Sequence, residues 1–121
     1  MSISSLKTNV TDEELDSVRN FCKLDEGVED ELLKVWLLAA RREVMGSVGE
    51  QVETFYDDNP VFTQAVWILV FNHFNDRTST STAYLSYNRI LRDDINCLKD
   101  DYRYELEQQQ LKEVTNDGSQ R

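Results

Sequence analysis

The segment that follows Asn59-Pro60 constrains this chain most. Wound as a helix, Val61 to Phe74 is apolar on nearly every side. Phe62, Ala65, Val66, Leu69 and His73 take one side, and Trp67, Ile68, Val70, Phe71 and Phe74 cover much of the rest. A helix apolar all round is stable in water only when other elements surround it. Asn59 supplies a capping oxygen and Pro60 suits the first helical position, so the start is well marked. The expectation is a central core helix in which Phe62, Val66, Leu69 and Val70 are packing residues and carry no site. Its most apolar run, Ala65 to Phe71, is far short of the ~20 residues that span a bilayer.

The rest of the chain reads as helices able to cover that core. Thr11-Asp12-Glu13-Glu14 is a capping box with acids in the first turn. Leu15, Val18, Phe21 and Cys22 then recur at helical spacing. A second helix is expected from Val28 to Met45, with Leu32, Val35, Trp36, Ala39, Ala40 and Met45 on its apolar side and Leu33, Leu37 and Leu38 widening it. Arg41 and Arg42 sit near its C-terminal end, and Gly46 and Gly49 end it. Thr78-Ser79-Thr80-Ser81-Thr82 is a hydroxyl run too polar to pack, read as a mobile loop. A last helix starts near Ser86 or Tyr87 and carries Leu91, Ile95, Leu98 and Tyr102 as a stripe. Residues 1–10 read as an irregular arm, and Thr115 to Arg121 as disordered. With four Gly and one Pro in 121 residues, turns are too few for an all-β chain, and the length suits one domain. The fold class expected is all-α: a small four-helix body over residues 11–102, with an extended C-terminal helix.

Few residues point to chemistry. His73 is the only histidine and lies in the most apolar helix, with no nucleophile placed beside it by the sequence. Asp93-Asp94 and Asp100-Asp101 are seven apart and share a helix face, but Arg89, Arg92, Lys99 and Arg103 interleave with them. Ion pairs on a solvated face account for that pattern better than a metal site. Asp57-Asp58-Asn59 lacks the alternating ligands of a calcium loop. Cys22 and Cys97 sit in no metal-binding spacing, and Cys22 reads as a reduced core thiol. No phosphate-binding glycine loop occurs. The expectation is a protein that is not an enzyme and takes no cofactor or metal. The N-terminus has neither a basic nor an apolar leader segment, so no signal peptide is expected.

Charge narrows the partners. Thirteen basic residues stand against 23 acidic ones, a net charge of −10. Gripping nucleic acid or an anionic membrane needs clustered Lys and Arg, which this balance argues against. It leaves room for a surface past which DNA slides without being held.

The order of elements is similar to one known family. A capped short helix leads through acidic Asp25-Glu26-Gly27 into a helix reading Leu38-Ala39-Ala40-Arg41. Then come Phe62, Ala65-Val66, Leu69-Val70, His73, Phe74, Asn75 and Arg77, and finally Leu98-Lys99-Asp100-Asp101-Tyr102. This resembles the small head–tail connector proteins of long-tailed phages, also called adaptor or head-completion proteins, over about residues 10–102. Lys99, where the family has Arg, and the long polar segment after Tyr102 depart from the pattern. The resemblance implies a structural virion protein of the neck, made in the host cytoplasm. Its copies would form a ring under the portal, extend the DNA channel without binding DNA specifically, and seat the next head-completion, stopper or tail protein. The C-terminal arm, residues 103–121, would with Tyr102 reach the portal: Tyr102, Tyr104, Leu106 and Leu111 are the candidate contacts. Arg41, Arg42 and Arg77 are candidates for subunit or partner contacts. A frayed helix end with a disordered tail is the plainer reading of the arm. A different class, a small acidic helical protein that mimics DNA and inhibits a nucleic-acid enzyme, also fits the charge.

Overall fold

Asn59 and Pro60 start the central helix as their side chains dictate. The Asn59 Oδ1 accepts hydrogen bonds from the backbone N–H of Val61 at 3.1 Å and of Phe62 at 3.2 Å. Pro60, which has no N–H to satisfy, takes the first helical position. The computed structural model describes residues 3–23, 29–74 and 82–119, with side chains of the last helix described over 87–113. It contains α1 (Ile3–Leu6), α2 (Asp12–Cys22), α3 (Asp30–Val48), α4 (Pro60–Phe74) and α5 (Thr82–Ser119), and no strand among the described residues. The chain is all-α.

Helix α4 packs against α2, α3 and α5, and α3 also packs against α2 and α5. Phe62, Ala65, Val66, Ile68 and Val70 of α4 are buried. Phe62, Ala65, Val66 and Val70 share one core with Leu15, Val18 and Cys22 of α2, Leu33, Leu37 and Val44 of α3, and Leu98 of α5. Aromatic rings stitch the far side: Phe21 lies 5.6 Å from Trp67 and 5.4 Å from Tyr87. Burial of Cys22 pushes its thiol up to about 12, so it stays protonated and inert. Leu69, expected in the core, is half-buried on the α3 side. Replacing Asn59 with Ala should remove the cap of α4 and cost about 1 kcal/mol. Urea unfolding measures this, and a loss below ~0.3 kcal/mol would mean the cap contributes nothing.

Four expectations are corrected. Residues 1–10 are not an irregular arm throughout: α1 buries Ile3 and Leu6, and the Ile3 N–H donates to Glu53 at 3.2 Å. Helix α3 does not end at Gly46 but continues to Val48, with Gly49 at its C-terminus. It also buries a different face. Leu33, Leu37, Ala40, Arg41, Val44 and Met45 point inward, whereas Leu32 and Val35 lie outside. Residues 32–40 are apolar on almost every side, so spacing could not choose between faces, and Arg41-Arg42 broke the inward stripe before Val44 in the reading. Helix α5 begins at Thr82, earlier than Ser86, and its backbone stays helical to Ser119. Thr82 therefore belongs to a helix, while Thr78, Ser79, Thr80 and Ser81 lie outside the described residues, as do Asp25-Glu26-Gly27 and Arg77.

Candidate functional site

The capping box at the start of α2 is half formed, and the other half has been put to a different use. Thr11 accepts from the Glu14 N–H at 3.2 Å, as a cap does. The Glu14 carboxylate, free to turn away from the helix start, instead pairs with Arg41 on α3 and accepts from the Trp67 indole N–H on α4 at 3.5 Å. Arg41 is 3% exposed. It also donates to the carbonyl oxygens of Leu6 at 3.0 Å and Asn9 at 2.6 Å, closing α1 against the body. One guanidinium thus joins α3 to two other segments, the start of α2 and the 6–9 stretch after α1, and Arg41 is no surface contact. The expectation for it is corrected, because its charge is satisfied inside the subunit. Arg42, one residue on, is exposed and among the described residues reaches the Lys7 carbonyl at 3.5 Å.

Tyr102 is likewise inside. Its hydroxyl accepts from the Gln51 N–H at 2.7 Å and its ring stands edge-on to Phe55, centroids 5.3 Å apart. It belongs to the seam between α5 and the 49–58 connection and is withdrawn as a portal contact. That connection holds a second tyrosine, Tyr56, whose hydroxyl donates to the Gly49 carbonyl at 2.5 Å and whose titration burial pushes far up.

Beyond Tyr102 no described side chain is buried. Leu106 is half-buried, on the core-facing line that runs through Leu98 and Tyr102. Tyr104 and Leu111, seven apart on another face, are 60% and 58% exposed. The flank of Tyr104 toward Asp101 and Glu105 borders a cleft of about 390 Å³ against Val52, Phe55 and Asn59. The remaining exposed large hydrophobic residues among those described are Leu32 and Val35 of α3, at 47% and 58%. They continue into Ala39, also exposed, and beside them Trp36 stacks on His73 with centroids 3.3 Å apart. Apolar side chains are therefore exposed in two places among the described residues, on α3 and on the arm of α5.

No family model, curated protein or solved structure matches this chain.

The carboxylates of α5 do not converge. Asp94 faces Gln64 of α4, whose amide nitrogen, turned toward it, donates at 2.8 Å and 3.1 Å. Its pKa is raised by burial and then by Asp93. Asp101 accepts from the Cys97 thiol at 3.7 Å, and that proximity holds the thiol protonated. Arg89, Arg92, Lys99 and Arg103 make no ion pair among the described residues. Among the described residues, no group of three or more His, Cys, Asp or Glu side chains could hold a metal ion, and no helix is long and apolar enough to cross a membrane. His73 is exposed at the end of α4, where its ring meets Trp36 and Phe74. What this arrangement can do is present helical surfaces to other macromolecules.

Proposed function

We propose that this chain is a structural subunit of the phage neck: a head–tail connector, or adaptor, whose copies form a ring under the portal and join head to tail. One observation carries the reading. Helix α5 runs on well past Tyr102, the last residue it buries among those described, and the continuing segment displays Tyr104 and Leu111 to solvent. Seven residues apart, the two side chains share one face of the protruding helix, and a shared apolar face can serve as part of an interaction surface. Tyrosine suits an interface, since its ring contributes large area and its hydroxyl serves the polar rim. The all-α body, the net charge of −10 and the resemblance in the order of elements support the same reading. An acidic surface lets DNA pass, because each phosphate contact by a cation would add salt-sensitive affinity and hold the duplex back. In this role the subunit performs no catalysis, binds no cofactor, and seats the next stopper or tail protein.

The portal is the partner proposed for the arm, with Leu106, Tyr104 and Leu111 as contacts and Tyr102 now excluded. A truncation that tests this must keep Tyr102, since removing it would break the seam with Gln51 and Phe55. A chain ending at Arg103 should fold, as judged by its helical circular dichroism, yet fail to attach to heads that carry the portal. Attachment of the truncated chain at wild-type level would show that docking uses the helical body. If the full chain ignores portal-bearing heads but binds a nuclease and competes with DNA for it, the DNA-mimic reading replaces the connector.

A further inference from the structure

Residues 3–9 sit on the body as a bound peptide would. Helix α1 takes little part in the helix-to-helix packing of the body, and four residues are too few to hold a helix unaided. Side-chain contacts keep the segment in place. Ile3 and Leu6, three apart, are its two buried anchors. The Arg41 guanidinium donates to the main-chain oxygens of Leu6 at 3.0 Å and Asn9 at 2.6 Å. Glu53 accepts from the Ile3 N–H at 3.2 Å, and Lys7 pairs with Glu50. Main-chain hydrogen bonds of this kind supply affinity for any sequence, and the seats of the anchors together with the ion pair select one. Beside Leu6 the site continues into a cleft of about 390 Å³ bordered by Arg41, Phe62 and Val66, which gives an incoming segment a way in.

We propose that Arg41, Glu50, Glu53 and the seats of Ile3 and Leu6 form a peptide-docking site, filled in the single subunit by its own residues 3–9 and able to take residues 3–9 of a second copy instead. The contacts themselves name the occupant. A second copy brings the same two anchors, the same Lys7 for Glu50 and the same two carbonyl oxygens for Arg41. Exchange therefore keeps every contact, which is what makes segment swapping a low-cost route to association. The hinge is short. Arg41 makes its last contact at Asn9, and Thr11 already caps α2, so Val10 alone joins the docked segment to the body.

Two effects oppose exchange and set when it occurs. In the free chain the segment is tethered beside its own site, at high effective concentration, so docking within the subunit wins. A neighbour held alongside removes most of that advantage. Exchange also brings two α2 starts together, each with Asp12 and Glu13 exposed. Salt of about 0.15 M or more screens such charges beyond about 8 Å and so favours it. The site stands apart from the connector reading, since the arm contacts proposed for the portal use none of its residues.

A fluorescent peptide with the sequence of residues 1–10, added to the full chain, tests the site. Leu6→Asp in the chain loosens its own segment, and that chain should bind the peptide roughly tenfold more tightly than the wild-type chain does. Lys7→Glu in the chain should move binding the same way. Lys7 packs in no core, so this variant answers the question even if Leu6→Asp fails to fold. Adding Glu50→Lys to the Leu6→Asp chain should weaken binding several-fold, and a peptide with Lys7→Glu should restore it. Absence of binding to both loosened chains at about 1 mM peptide would overturn the proposal. Equal binding of the peptide with and without Leu6→Asp would also overturn it. Mixing two full chains tests the second copy as occupant. The Leu6→Asp chain offers an open site, and the Glu50→Lys chain an intact segment loosely held. Sedimentation should show a mixed dimer that grows with salt, and several-fold less dimer for either chain alone. A mixture that stays monomeric would overturn exchange between copies. That failure would leave the connector reading intact. A chain that exchanges its segment but never engages portal-bearing heads would do the reverse.

Discussion

Replacing Arg41 with Ala should destabilise the protein by about 3–5 kcal/mol, the range for breaking a buried ion pair from one side. The guanidinium is nearly inaccessible and serves three acceptors on two other segments: the Glu14 carboxylate, the Leu6 carbonyl and the Asn9 carbonyl. Its removal leaves a partly buried carboxylate without its cation and two carbonyl oxygens without donors. Each orphaned acceptor costs on the order of 1–3 kcal/mol when water cannot replace the lost donor. The Glu14 side chain is about a quarter exposed, at 24%, so solvent limits that part of the loss. Removing both charges together, as Arg41→Met with Glu14→Gln, should cost clearly less than Arg41→Ala. The apolar chain of Met refills the space and no charge is stranded. Urea unfolding of the three variants measures the difference. A loss under ~1 kcal/mol for Arg41→Ala would mean the guanidinium is no structural hub. The carbonyls of Leu6 and Asn9 also tie α1 to the body. Amide exchange in residues 3–9 should therefore quicken more than in α4.

The second large effect is at Gly49. Its φ of 142° lies where side chains are rarely tolerated, and a Cβ built there would fall 2.4 Å from the Tyr102 ring carbons and 2.7 Å from its hydroxyl oxygen. The ring cannot move aside cheaply, because Gln51 and Phe55 hold it from two directions. Strain of about 1–3 kcal/mol at the backbone and overpacking of about 1–3 kcal/mol together place Gly49→Ala near 2–5 kcal/mol. Gly46, three residues earlier and inside α3, is the control. A Cβ there meets nothing within 4 Å, so Gly46→Ala should stabilise by roughly 0.4–1 kcal/mol through lost freedom of the unfolded chain. Thermal unfolding should therefore move in opposite directions for two identical substitutions. Equal shifts would show that the Gly49 backbone is not held against Tyr102.

These two residues also mark where reading the chain succeeds and where it stops. Caps are local, so Thr11 and Asn59 were legible: each needs only its own side chain and the next three N–H groups. The all-round apolar α4 could be placed at the centre for a similarly direct reason, since nothing but burial suits it. The inward face of α3 was not legible. Its apolar residues go all the way round from Leu32 to Ala40, and the deciding member of the buried face is an arginine, which pattern reading assigns to solvent. What buries Arg41 is Glu14, 27 positions earlier, and no local signal links the two. Tyr102 was misassigned for the same kind of reason. As the fourth member of the stripe on α5 it could have been read as core, but its Gln51 partner lies 51 positions away, in a turn with no recognisable motif. For the candidate surfaces, Tyr104, Leu106 and Leu111 could be picked out because a polar segment made them conspicuous. Leu32 and Val35 could not, because they looked like core.

Helix α5 is continuous in geometry but divided in local stability. From Leu91 to Tyr102 its opening is coupled to that of the core, since Leu98 and Tyr102 are buried and Leu91 and Ile95 pack against the core. Past that point the hydrogen bonds of the helix are nearly all that holds it, and a solvated helix of that length is marginal on its own. The arm can therefore be bent, unwound or shifted in register at little expense to the body. A segment with that property adapts to seats of unlike shape, so identical copies could meet non-equivalent neighbours without any of them unfolding.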